Sequence, residues 1–137
     1  MRLWHKDLIP VLPKQQLLGQ WRECCAIAKN ISEKGYPNHI LVNPILDYPI
    51  SHFRYYAYKI YKELKNRGNN PDRNSFCKWM GGDVYPIKGE LLFENWHTQK
   101  YLTQCLANLE EKHDRGGISD EEWNKILHHV STLKKGA

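Results

Sequence analysis

Residues 14–35 read Lys14-Gln15-Gln16-Leu17-Leu18-Gly19-Gln20-Trp21-Arg22-Glu23-Cys24-Cys25-Ala26-Ile27-Ala28-Lys29-Asn30-Ile31-Ser32-Glu33-Lys34-Gly35. Leu17, Trp21, Cys24, Ala28 and Ile31 follow one another at steps of four, three, four and three, the period of a buried helical face. Leu18 and Cys25 widen that stripe, and Gly35 with Tyr36-Pro37 behind it supplies a stop signal. The spacing predicts a long amphipathic helix opening near Lys14. A helix of this kind is stable only when its apolar face packs against others, so the fold class follows: all-α.

The flanking sequence extends the pattern. Pro10 and Pro13 limit regular helix within residues 1–13, and Pro37, Pro44 and Pro49 mark 36–50 as loop with at most short turns. Ser51 is expected to cap a second helix with the stripe Phe53, Tyr56, Ala57, Ile60, Tyr61 and Leu64, ended by Gly68 and the turn Asn69-Asn70-Pro71-Asp72. Its outward positions, Arg54, Tyr55, Tyr58, Lys59, Lys62, Lys65 and Arg67, are nearly all positive and interleaved with tyrosine. That pattern fits a solvated face or a nucleic-acid contact equally well. Residues 69–92 show the weakest periodicity. A third long helix is expected over 94–113 with Trp96, Leu102, Cys105, Leu106 and Leu109 inward, broken by Gly116-Gly117. Ser119 followed by Glu122 matches a capping box and opens a last helix carrying Trp123, Ile126, Leu127 and Val130. The expected architecture is a compact, single-domain helical bundle over residues 1–137 with long irregular connections.

Composition narrows the function. The chain holds 20 Lys and Arg against 15 Asp and Glu, a formal charge of +5, with a pI of about 9.0. Such a balance is compatible with a polyanionic partner without identifying one. Five Trp and 8 Tyr supply core aromatics and leave some free to stack on bases beside cations. Mean hydropathy is −0.69, and no apolar run approaches the ~18–20 residues of a membrane span. The opening Met1-Arg2-Leu3-Trp4-His5-Lys6-Asp7 lacks the apolar centre of a signal peptide, so a cytoplasmic location is expected. Cys24 and Cys25 are adjacent on a helix and cannot join each other, while Cys77 and Cys105 stand alone. The seven histidines show no zinc-ligand spacing, and His128-His129 reads as a solvated pair. No metal, no cofactor and a reducing compartment are expected.

The polar side of the first helix is the candidate site. Gln15, Gln16, Gly19, Gln20, Arg22, Glu23 and Ala26 share the arc opposite the apolar stripe. Gly19 and Ala26 are small enough to let a ligand approach, with one carboxylate and one guanidinium beside the opening. An Arg-Glu pair is also an ordinary feature of exposed helices.

The run from Gln15 to Glu23 resembles the first helix of the pyrimidine-dimer DNA glycosylases, the phage endonuclease V family. Leu12, Gln15, Leu17, Arg22 and Glu23 match at the same distance from the start, and Leu18 and Trp21 are similar. Leu64 and Arg67-Gly68 through Asp72 resemble the end of the family's central helix. Met1-Arg2-Leu3-Trp4-His5 and the Gln-Gln-Leu-Leu-Gly-Gln run resemble bacterial members. The resemblance implies an all-α, metal-independent enzyme that removes a damaged pyrimidine from duplex DNA and then cuts the strand at the abasic sugar. In that family the N-terminal α-amine attacks the sugar C1′ and forms an imine. The residue matching Glu23 assists this step and the later β-elimination, and the one matching Arg22 contacts DNA near the lesion.

Position 2 is Arg2 where the phage member has a small residue, so the initiator is expected to be kept and the amine to belong to Met1. Gln16 and Ala26 stand where the phage enzyme has His and Arg, and Trp123 and Lys125 are the nearest counterparts of its aromatic, basic C-terminal run. The catalytic set is therefore expected to be Met1, Arg2 and Glu23. Gln15, Gln16, Arg22, Arg54, Lys59 and Lys62 are expected to bind double-stranded DNA carrying a damaged or abasic site, with the protein acting as a monomer. His5 and His52 are candidates for proton transfer or phosphate contact near the terminus, or for structural roles. Lys6 is a reserve amine. The chemistry is sound on general grounds: an α-amine has an ordinary pKa of ~7.7–8.0 against ~10.4 for lysine, so far more of it is nucleophilic at neutral pH. A carboxylate nearby can stabilise charge developing at C1′ and relay protons. Two rival readings share this sequence: a non-catalytic nucleic-acid binder on the same scaffold, and a protein-interaction domain whose positive face is merely solvated.

Overall fold

Two prolines set where the two longest helices begin. A computed structural model describes residues 1–135, and among them there is helix and no strand. Helix α1 (Lys14–Lys34) starts directly after Pro13 and α2 (Ile50–Asn66) directly after Pro49. Each proline has its φ fixed near the helical value, and its carbonyl accepts from a following backbone N–H, Leu17 N to Pro13 O at 2.9 Å and His52 N to Pro49 O at 3.0 Å. Ser51 therefore falls inside the first turn of α2 and caps nothing, contrary to the sequence expectation. At the other end of α1, Gly35 takes φ 84° and returns its N–H to Ile31 O, as the stop signal predicts.

The remaining helices are α3 (Asn74–Met80), α4 (Gln99–Asp114) and α5 (Asp120–Lys135). Short 3₁₀ helices run over Lys6–Val11 and Asn43–Asp47. Helix α1 packs on α2 and α3, and α5 covers the Lys6–Val11 helix and α4. The shared core includes Leu8, Leu17, Ile27, Phe53, Ile60 and Leu109, all fully buried. The capping box forms as expected: Glu122 N donates to Ser119 Oγ at 3.1 Å and Ser119 N returns to Glu122 Oε1 at 3.2 Å.

Pro10 and Pro13 do limit regular helix in the first 13 residues, where a single 3₁₀ turn accommodates Pro10 and is capped by His5, whose Nδ1 accepts from Asp7 N at 3.0 Å. Several expectations need correction. Helix α3 escapes the sequence reading because its inward anchors, Phe76 and Met80, are a single i,i+4 pair. The third long helix is shorter than expected. Phe93 and Asn95 sit at φ 51° and 72°, which breaks any helix there, and Thr98 caps α4 through Tyr101 N at 3.2 Å. Trp96 thus precedes α4. Leu127 faces outward, 48% exposed, because Ile126 and Val130 take the inner side of α5. His128 is exposed, but His129 is half-buried and donates from Nε2 to Asp7 O at 2.7 Å.

A buried aromatic and histidine cluster joins the beginning of the chain to the start of α4. His5 donates from Nε2 to His97 O at 3.1 Å, and Lys6 N donates to His97 Nδ1 at 2.9 Å. His97 then carries its proton on Nε2, which is buried with no partner. Burial, helped by the proximity of His5 and Lys6, pushes His97 down to about 2, and burial also lowers His5 and His52. Above pH ~6.5 these rings are neutral in both folded and unfolded chains; below it the unfolded chain takes up protons that the folded chain refuses. Stability is expected to be flat from pH 8 to 7 and to fall between roughly pH 6 and 5 by about 1.4 kcal/mol per pH unit on account of His97, with His5 and His52 acting in the same direction. Urea midpoints across that range check this, and a His97→Asn variant should show a shallower slope; an unchanged slope would contradict it.

Candidate active site

Residues 1–5 run extended through the molecule, held by side chains from three helices. Arg2 O accepts from Gln20 Nε2 of α1 at 2.9 Å, and Leu3 O accepts from the Tyr101 hydroxyl of α4 at 2.5 Å. Trp4 O accepts from the Tyr56 hydroxyl of α2 at 2.6 Å, and Trp4 N donates to Gln20 Oε1 at 2.7 Å. Burial holds both phenols well above their ordinary range, so each remains a donor at any physiological pH. Leu3 and Trp4 are core residues, whereas Met1 emerges at the surface, 43% exposed. Arg2 is half-buried, with its guanidinium 5.5 Å from the Trp4 ring centre.

The sequence places Gln20 on the open polar arc of α1. It is instead 1% exposed, because the N-terminal segment lies across that part of the helix and supplies polar partners for the amide. The same Nε2 that donates to Arg2 O also donates to Glu23 Oε2 at 3.1 Å. One amide therefore ties the start of the chain to the carboxylate three residues further along α1. Glu23 is half-buried, and among the described residues no cation forms an ion pair with it. Arg22 is exposed and folds toward Gly19, where a Cβ would meet its Nη2 at 3.9 Å. Gln15 and Ala26 are exposed, and Gln16 is half-buried with its Oε1 enclosed and unpartnered. A carboxylate without a cationic partner, tied through Gln20 to the Arg2 carbonyl, can accept a proton and stabilise positive charge on a substrate.

The candidate cations of α2 divide. Lys59 and Lys62 line a groove with Lys6, Tyr55, Tyr58 and His129, between α2 and the N-terminal 3₁₀ helix and α5. Arg54 lines a different pocket with Trp21, Arg73, Phe76 and Met80, its Nε buried without a partner. Arg67, expected on the outer face, reaches back to Leu12 O at 2.7 Å and Pro10 O at 3.1 Å while pairing with Glu63 at 2.8 Å. Lys6 turns inward and donates from Nζ to Leu92 O at 2.5 Å; burial lowers its pKa. His52 accepts from Phe93 N at 3.1 Å, so His5 and His52 both serve the main chain. Trp123 is buried and stacks on His113, ring centres 5.6 Å apart, while Lys125 pairs with Glu121 at 3.6 Å. Among the described residues no group of three His, Cys, Asp or Glu side chains is placed to hold a metal ion, and no helix is long and apolar enough to cross a membrane.

Sequence reasoning missed Gln20, Tyr56 and Tyr101 as the groups that hold the terminus. The available signal was weak: a glutamine three residues before the carboxylate and tyrosines at inward helical positions. Gln20→Met keeps the volume but leaves Trp4 N without an acceptor, which should cost about 1–3 kcal/mol. Urea denaturation measures that loss, and a variant as stable as the parent would show that the amide does not hold the segment.

A family model described as pyrimidine dimer DNA glycosylase matches residues 1–76 of the 137. The matched region contains the N-terminal segment, α1 and α2, and hence Gln20, Glu23 and Tyr56. No curated protein and no solved structure gives a match. With its terminus, α1 and α2 all inside the matched half, the chain belongs to the pyrimidine dimer DNA glycosylase family.

Proposed function

We propose that this protein is a DNA glycosylase with abasic-site lyase activity, excising dimerised or otherwise damaged pyrimidines from duplex DNA through an imine on the Met1 α-amine. The observation that carries the reading is the Gln20 amide, which donates to Arg2 O and Glu23 Oε2 together. Met1 directly precedes the residue whose carbonyl makes that tie and is 43% exposed, which supports an amine that a sugar can reach. In this reading residues 1–137 act as one domain and as a monomer, on double-stranded DNA, without a metal.

The unprotonated amine attacks C1′; the bond from C1′ to the base breaks, and the base leaves with the electron pair and takes up a proton. Glu23 stabilises the positive charge that builds on the sugar. The nitrogen gives up a proton to the ring oxygen O4′, which takes the electron pair of the breaking C1′–O4′ bond, and a protonated imine remains at C1′. Glu23 then removes a proton from C2′, the bond to the 3′ oxygen breaks, and the phosphate departs with its electron pair. Water hydrolyses the imine and restores the amine. Reaching C1′ requires the duplex to open at a cost of a few kcal/mol. Phosphate contacts offset it, with Gln15, Gln16 and Arg22 of α1 and Arg54, Lys59 and Lys62 of α2 as the donors, while Arg2 stands beside Met1 at the reacting end.

Borohydride should trap the protein covalently on abasic duplex DNA, and acetylation of the N-terminus should prevent trapping. Glu23→Gln should abolish strand cutting while leaving DNA affinity within about twofold, because the neutral amide keeps the shape and removes only the base. Cutting by Glu23→Gln, or trapping of the acetylated protein, would overturn the mechanism. A protein that binds DNA with steep salt dependence yet is never trapped is a passive binder.

A further inference from the structure

The loop between α1 and α2 carries the most exposed large apolar side chain described, Ile40, at 80%, followed by Leu41 at 47%. Their backbone is not slack. Val42 N and Asn43 N both donate to His39 O, at 3.0 and 2.9 Å, and His39 N donates to Asn43 Oδ1 at 3.3 Å. Leu41 N donates to His39 Nδ1 at 3.1 Å, and Asn38 turns the chain with φ 67°. Directly behind the tip, Val42 and Ile45 are buried at 0% and 1%. A tight turn, cross-braced by one histidine and one asparagine and bolted to the core, thus presents two branched apolar side chains to solvent.

The surroundings of the tip are polar. Ile40 and Leu41 line a groove with Arg2, Asn95, Lys100 and Gln104. Arg2 lines this groove and also supplies the carbonyl of the Gln20–Glu23 tie. Asn95, which lines the groove, and Phe93 two residues before it both adopt left-handed backbone angles that cost about 1–3 kcal/mol each. Two apolar residues bury too little area for a stable protein interface, which needs roughly 1,200 Å². They match one gap between adjacent bases, with cations and amides alongside for the flanking sugar-phosphate chain.

Resting on the glycosylase reading above, we propose that Ile40 and Leu41 form a wedge that enters the base stack of duplex DNA and holds it open while the sugar reaches the terminus. Apolar side chains inserted at a base step cover the faces that unstacking exposes and stabilise a kinked duplex. Ile40 is the leading residue and Leu41 supports it. The wedge acts on opening alone and has no part in bond making.

The test compares the parent with the double variant Ile40→Ala, Leu41→Ala, both exposed positions whose truncation leaves the core intact. Single-turnover excision is measured on a pyrimidine dimer in fully paired duplex and on the same dimer opposite a two-nucleotide unpaired bulge. A 2-aminopurine opposite the lesion reports opening on binding. The variant should be about tenfold or more slower on the paired duplex, near parental on the bulged one, and should lose most of the fluorescence rise. Equal slowing on both substrates, or none on either, would overturn the wedge. If the parent itself neither excises nor is trapped, the catalytic reading fails, and the fluorescence arm still decides: a rise in the parent lost in the variant supports the wedge, and the same signal in both rejects it.

Discussion

Three consecutive carbonyls near the start of the chain, those of Arg2, Leu3 and Trp4, each accept a hydrogen bond from a side chain on a different helix. This is the constraint on which the rest of the molecule depends. An extended segment inside a helical protein has no strand partner, and its buried peptide groups would be costly unless other donors reached them. Gln20, Tyr56 and Tyr101 are those donors, and they bring α1, α2 and α4 to one place. Each bond contributes about 0.5–1.5 kcal/mol net. Their larger effect is geometric, since they fix where the first residue leaves the core.

The electrostatic arrangement follows the same plan. Around the buried segment the ionisable groups are neutral or turned to backbone partners: His5, His97 and Lys6 all engage main-chain atoms. The groups left unpaired stand at the edge, with Glu23 half-buried and Arg22 exposed. A carboxylate at such a boundary is partly shielded from water, which strengthens its interaction with any positive charge brought beside it. The positive groups are spread over separate grooves instead of forming a single patch, with Lys59 and Lys62 in one, Arg54 in another, and Arg2 with Lys100 in a third.

The sequence made the helical class, the span of α1, its glycine stop and the capping box of α5 legible, because each depends on neighbours within a few residues. Glu23 and Arg22 stood out by their place on α1 and by resemblance. What periodicity misses is any polar residue whose partner lies far along the chain. Gln20 looks like a surface residue until Arg2 and Trp4 cover it, Arg67 looks solvated until the carbonyls of Pro10 and Leu12 appear, and Lys6 looks free until Leu92 accepts from it. The bend at Phe93 and Asn95 is illegible for a similar reason: His52, 41 positions earlier, accepts from Phe93 N and stabilises a backbone angle that no local rule favours.

The bond from Tyr101 to Leu3 spans 98 positions, and that from His129 to Asp7 spans 122. Leu3 and Asp7 therefore find these partners only when segments about a hundred positions away have docked. Such long-range closure slows folding relative to a bundle of local contacts.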